Sequence, residues 1–180
     1  HSLGEYSALY AAGVFGLETG LSLVKTRGTA MGEAADARPG AMAAVLGLDA
    51  DKVETLCREA AQGQILQVAN FNSPGQIVIS GERPAVERAA DAARSAGARR
   101  AILLPVHGAF HSPLMESAVE RMTAALGQAD FEDPKVAFLA NTEGYRAEAM
   151  RSCSCQKSCL RSARLSSPLL AYPLELCIYC

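Results

Sequence analysis

Ala41–Leu48 (AMAAVLGL), Asp51–Ala61 (DKVETLCREAA), Ile65–Asn70 (ILQVAN), Gln76–Ser80 (QIVIS), Pro84–Ala96 (PAVERAADAARSA) and Arg100–Val106 (RAILLPV) follow one another within a single stretch of chain. The first is a short apolar run that predicts a buried strand. The second has the spacing of an amphipathic helix, with Asp49 or Asp51 placed to cap it. Two strands come next, and Asn72-Ser73-Pro74-Gly75 between them has turn chemistry. A second helix stops at Gly97, and a fourth strand closes the stretch. Strand, helix, strand, strand, helix, strand is the split βαβ, ferredoxin-like pattern. It is expected to form a complete small subdomain over 38–106.

On either side the rhythm differs. Leu3–Ala12 are strong helix formers ahead of Gly13, a good stop. A longer helix is expected from Leu17 to about Ala35, with Leu17, Gly20, Leu21, Val24, Gly28 and Met31 on one stripe and Arg27 at its edge. Arg38-Pro39-Gly40 ends it. Beyond the subdomain, residues 107–113 form a loop, Leu114–Leu126 a helix and Val136–Ala140 a strand, and Asn141 begins another loop. These outer pieces, 1–37 and 107–150, predict an α/β layer around a parallel sheet.

Composition narrows the function. The chain has 180 residues, 49% hydrophobic and 20% charged, which suits one domain or a domain with a small insertion. A net charge of −2 argues against a surface built to neutralise phosphates, so no nucleic-acid partner is expected. No run of eighteen apolar residues occurs, and no membrane association is expected. Five of the six cysteines (153, 155, 159, 177 and 180) fall in the last thirty residues, leaving only Cys57 before them. Residues 1–150 carry thirteen Lys/Arg against eighteen Asp/Glu; 151–180 carry four against one. Two compositions meet near Met150. The first reads as a cytoplasmic enzyme. The second is expected to be disordered or a product of shifted translation, and its irregular cysteine spacing predicts no metal site. The chain starts at His1 without a methionine and reads as a fragment. Nothing signals oligomerisation, so a monomer is expected.

Three residues could carry chemistry. In His1-Ser2-Leu3-Gly4-Glu5 a serine precedes a helix. A small-x-Ser-x-Gly turn between strand and helix lifts such a hydroxyl out of a sheet, where the N–H of Leu3 could stabilise an oxyanion. Ser2-x-x-Glu5 is equally a capping box, the more ordinary reading of those five residues. A serine nucleophile needs a general base, and His111, ahead of Ser112-Pro113 at a helix start, is the histidine best placed to project into a cleft. Arg27 either snorkels to water or turns its planar fork inward to bind a substrate carboxylate.

His1-Ser2-Leu3-Gly4-Glu5-Tyr6-Ser7-Ala8-Leu9 resembles the nucleophile motif of malonyl-CoA:acyl carrier protein transacylases. The resemblance continues, in order, through Lys25-Thr26-Arg27-Gly28 with Met31, Pro39-Gly40-Ala41-Met42, Asn70-Phe71-Asn72-Ser73-Pro74-Gly75-Gln76 and Gly108-Ala109-Phe110-His111-Ser112-Pro113. It implies a hydrolase-like parallel-sheet body, incomplete here, with an inserted ferredoxin-like subdomain. It also implies ping-pong transfer of malonyl from malonyl-CoA to acyl carrier protein for fatty-acid synthesis, with no cofactor. Ser2 would be the nucleophile, His111 the base, Leu3 an oxyanion donor and Arg27 the partner of the malonyl carboxylate. His1, Met31, Phe110 and Asn141 would line the substrate site. Acyltransferase domains of polyketide synthases share these motifs, and Gly108-Ala109-Phe110-His111 is nearer their malonyl type. A serine hydrolase on the same scaffold, or a non-catalytic binding module, are the other readings; Arg27 argues against a simple esterase.

Relative to that family, the glycine and strand before His1, the glutamine-bearing N-terminal loop and the C-terminal strand and helices are missing. The chain by itself is therefore expected to turn over little substrate.

Overall fold

Good helix formers and glycine stops set the first two elements. α1 (Ser2–Ala11) ends before Gly13, whose φ of +76° is left-handed, and α2 (Leu17–Ala37) ends before Pro39-Gly40. β1 (Ala41–Leu46), α3 (Ala50–Ala61), β2 (Leu66–Ser73), β3 (Gln76–Gly81), α4 (Arg83–Ser95) and β4 (Arg100–Leu103) follow in the predicted order. A 3₁₀ turn (Pro113–Met115) then leads into α5 (Glu116–Gln128). The computed structural model describes residues 2–136. The chain has an α/β fold built on a sheet.

The sheet runs β2-β3-β1-β4, and each neighbouring pair is antiparallel. Alternation along the strands sends Ala41, Ala43, Val45, Ile77 and Ile79 to one face, where they pack with Val53, Cys57 and Ala60 of α3 and with Val86, Ala89, Ala90 and Ala93 of α4. Alanines dominate α4's buried stripe, so the helix lies close to the sheet. Arg88 of α4 ties the end of α3: its guanidinium donates to the carbonyls of Ala60 and Ala61 and to Oε1 of Gln64.

Several boundaries differ from those expected. β1 stops at Leu46 rather than Leu48 because Gly47 turns to φ +89° and donates to the carbonyl of Gly75. β2 continues to Ser73, which tightens the hairpin turn to Pro74-Gly75. β4 ends at Leu103 instead of Val106, although Leu104 still donates to the carbonyl of Met42. Asp49 holds the N-cap position of α3, but its side chain makes no capping bond. The helix expected from Leu114 begins as the 3₁₀ turn. Val136 is outside any strand; the remainder of the strand expected over 136–140, Asn141 and the cysteine-rich segment lie outside the described residues. Among the described residues the antiparallel sheet is the only one.

The chain divides into two compact units, with the divisions inside α2 and α5. One takes the chain up to Ala30 and again from Val119. In it Tyr6, Leu9, Val14, Phe15, Leu23 and Met122 are buried, and the rings of Phe15 and Phe131 meet at a tilt with centroids 6.1 Å apart. The carbonyls of Ala12 and Val14 accept from Lys135 and Glu132. The other unit, Met31–Ala118, holds the sheet, α3, α4 and the loop after β4.

Candidate functional site

Ser2 is the first residue of α1, where backbone N–H groups lack intrahelical partners and the helix dipole favours negative charge. Arg27 is buried on α2, and its Nη2 donates to Ser2 Oγ over 2.9 Å. The side chain is thus buried rather than extended to water. A guanidinium is kept in a buried position only by hydrogen-bond acceptors, and the hydroxyl of Ser2 is one of them. Glu5, the other half of the capping-box pattern, is buried in the first turn. Leu3 follows with its side chain about half exposed (49%), so it is the residue's backbone N–H, not its packing, that could matter there. Guanidinium and helix N-terminus together form a setting in which negative charge on a serine oxygen, or on an oxygen bonded to its acyl carbon, is stabilised.

His111 belongs to the other unit and is built differently. It lies in the loop between β4 and the 3₁₀ turn, buried, with φ +61°. A left-handed backbone is uncommon for a residue with a side chain, and such positions cluster at functional sites. The loop around it is pinned on several sides. Gln67 of β2 donates from Nε2 to the carbonyl of His111 over 3.0 Å. Ser112 donates to the carbonyl of Ala109 over 2.6 Å and accepts from the N–H of Leu114. Arg38 donates to the carbonyl of Pro113. Two glycines let the loop approach closely: a Cβ on Gly40 would lie 2.5 Å from the Cβ of Ala109, and one on Gly108 would lie 2.5 Å from the Cβ of Ala35.

Met31, buried on α2, and Phe110, partly buried beside His111, lie in this same unit. His1 and Asn141 lie outside the described residues. His107, the remaining histidine, is exposed and pairs with Asp36 through Nε2 over 2.6 Å. Cys57 is buried in the helix-covered core; desolvation, and then the nearby Glu54 carboxylate, push its thiol up from 9.0 to about 12. Among the described residues no cluster of His, Cys, Asp and Glu could hold a metal ion, and no helix is long and apolar enough to cross a membrane.

Sequence reading missed Gln67, Gly40 and Gly108 as parts of the site. Gln67 offered one signal, a lone amide between Leu66 and Val68 in an otherwise apolar run.

The acyl transferase domain family matches residues 1–169. The malonyl CoA-acyl carrier protein transacylase of Escherichia coli K12 is 46% identical over 143 residues, 79% of this chain and 46% of that protein. The protein of the same name from Bacillus subtilis is 46% identical over 142 residues, 78% of this chain and 45% of its own length. In structure, the malonyl CoA-acyl carrier protein transacylase of Coxiella burnetii superposes with a TM-score of 0.72 at 43% identity, covering 76% of this chain and 43% of that one. This chain thus spans about half the length of the curated relatives it matches.

Proposed function

The chain belongs to the acyl transferase domain family, and from that premise we propose that it transfers a malonyl group from malonyl-CoA to the phosphopantetheine thiol of an acyl carrier protein, supplying fatty-acid synthesis. The observation that carries the proposal is the bond between Arg27 and Ser2 at the N-terminus of α1. A malonyl thioester differs from acetyl by one carboxylate, and a buried guanidinium beside the nucleophile is the group that would hold it.

Ser2 Oγ attacks the thioester carbonyl while its proton passes to His111. The oxyanion is held by the Leu3 N–H, the carbon–sulfur bond breaks, and coenzyme A leaves with the proton from His111. A malonyl-serine ester remains. In the second half His111 takes the proton of the phosphopantetheine thiol, the sulfur attacks the ester, and the proton returns to Ser2 as malonyl departs on the carrier. His1, Met31, Phe110 and Asn141 line the acyl site in this reading.

The strand order β2-β3-β1-β4, antiparallel throughout and covered on one face by α3 and α4, supports reading this unit as a ferredoxin-like subdomain. It would be inserted in a hydrolase-like parallel-sheet body. The single cysteine among residues 1–150 fits a cytoplasmic enzyme.

Intact-protein mass spectrometry after brief incubation with malonyl-CoA tests the reading, since one acylation is detected even where turnover is slow. The expected result is one malonyl adduct per chain, lost in Ser2→Ala. No adduct on a folded chain, or an adduct that survives Ser2→Ala, would count against it.

A further inference from the structure

We infer that Gln67 is a positioning residue for His111, holding its backbone in the left-handed conformation from which the ring is presented. The inference rests on the proposed role of His111 only for its catalytic meaning; the geometry stands without it. Three observations converge on this pair, all within the unit Met31–Ala118.

The first is the contact itself. Nε2 of Gln67 donates to the His111 carbonyl over 3.0 Å, forty-four residues away along the chain. The second is the backbone it acts on: His111 has φ +61°, which a side-chain-bearing residue keeps only when its surroundings over-determine it. A bond to the carbonyl of that same residue fixes the peptide plane that follows the strained angle. The third is the sheet face on which Gln67 stands. Leu66 and Val68 pack towards the core shared with α3 and α4, so alternation puts Gln67 on the opposite face. There it pairs across the strand with Ser80, which neighbours Met42 in β1. Ser80 is fully buried, and its hydroxyl has no hydrogen-bond partner among the described residues. A long amide beside a small buried residue can lie across the sheet towards the loop. An apolar residue of the same length at 67 would fill the space and leave the carbonyl unheld.

Glycine at 111 would have accepted φ +61° without help; histidine there needs the external tether. Gln67 therefore acts through His111, and a change at 67 should be read in the histidine before anywhere else.

The chain has three histidines, so selective ¹³C,¹⁵N-histidine labelling gives three sets of signals, with His107 assigned by His107→Gln and His111 by His111→Gln. In the unaltered chain the His111 Cα and Cβ shifts should carry a left-handed signature. Gln67→Glu keeps the size but sets an acceptor against the carbonyl; Gln67→Leu removes polarity altogether. Both are expected to move His111 backbone and ring signals while leaving His107 in place. Ser80→Ala, which removes only an unbonded hydroxyl from the same face, is expected to leave His111 unmoved. In the malonyl-CoA assay Gln67→Glu should lower the acylation rate about five- to tenfold, the scale of one hydrogen bond, with little change in the concentration needed for half-maximal rate. Unmoved His111 signals in both folded Gln67 variants, or an equal movement in Ser80→Ala, would overturn the inference. If the chain forms no malonyl adduct while the His111 signals respond as described, the reading of function fails and the tether stands.

Discussion

Nη2 of Arg27 reaches Oγ of Ser2 over 2.9 Å, joining the middle of α2 to the first residue of α1. The bond accounts for two features that look unrelated in the sequence. An arginine at the margin of an apolar stripe is worth burying only if it finds acceptors, and a serine at a helix start is worth more than a cap if a cation stands against it. Both residues are then parts of one polar cluster in a unit whose other buried side chains, Tyr6, Leu9, Val14, Phe15 and Leu23, are largely apolar. A substrate carboxylate is the natural anionic counterpart of such a guanidinium.

Conservative changes to this pair should therefore be severe. Arg27→Lys keeps the charge but loses the planar fork, and the malonyl acylation rate is expected to fall by about a hundredfold. Acylation by acetyl-CoA, which has no carboxylate to place, should change much less. Quenched mass spectrometry of both adducts measures the ratio; equal losses with the two substrates would remove Arg27 from the recognition of the acyl group.

His111 allows backbone and ring to be separated. Both His111→Ala and His111→Gly remove the imidazole and should abolish the malonyl adduct. Only glycine accepts φ +61° without steric cost, so His111→Gly is expected to be more stable than His111→Ala by about 1 kcal/mol in urea denaturation. Equal stabilities, or the reverse order, would mean that the left-handed angle is not held in solution.

The loop's approach to β1 depends on Gly40. A Cβ there would meet the Cβ of Ala109 at 2.5 Å and the carbonyl oxygen of Gly81 at 2.6 Å. Gly40→Ala should destabilise the chain by about 2–3 kcal/mol, as overpacking against backbone does. Adding Ala109→Gly relieves the side-chain clash but not the one with the carbonyl, so a partial rescue is expected. Urea midpoints for the single and double variants decide it; a neutral Gly40→Ala would show that the loop does not lie this close.

The element order from 41 to 106 was legible because each element announces itself locally: short apolar runs for strands, an amphipathic stripe for α3 and α4, and Pro-Gly or lone glycines for the stops. The ends of β1, β2 and β4 were not. They depend on where Gly47 turns, where the hairpin closes at Pro74-Gly75, and how far β4 follows β1, all of which are set by pairing rather than by propensity. At the site, Ser2 and His111 stood out by residue type, and Arg27 by its place at the edge of a stripe. Whether Arg27 turned inward or outward could not be read from spacing, because both directions leave the same periodicity. Gln67 and the close approach of Gly40 to Ala109 are contacts between distant segments, and no local pattern encodes them.

Cys57 gives the fold a dependence on alkaline pH. Its thiol is pushed up from 9.0 to about 12, by burial first and by the Glu54 carboxylate second. Below pH 9.0 the thiol is neutral in both native and unfolded chains, and the contribution to stability is fully present. Between 9.0 and about 12 the unfolded chain ionises while the native core keeps its proton, so native stability falls as pH rises. Cys57→Ala removes this group, at some cost in packing, and should flatten the slope of stability against pH over that interval. The other five cysteines are common to both proteins, so the difference between the two slopes isolates Cys57. Urea midpoints measured from about pH 8 to about pH 11 give both curves. Parallel curves would place the thiol in a far wetter environment than a core shared with Val53, Ile77 and Ala90.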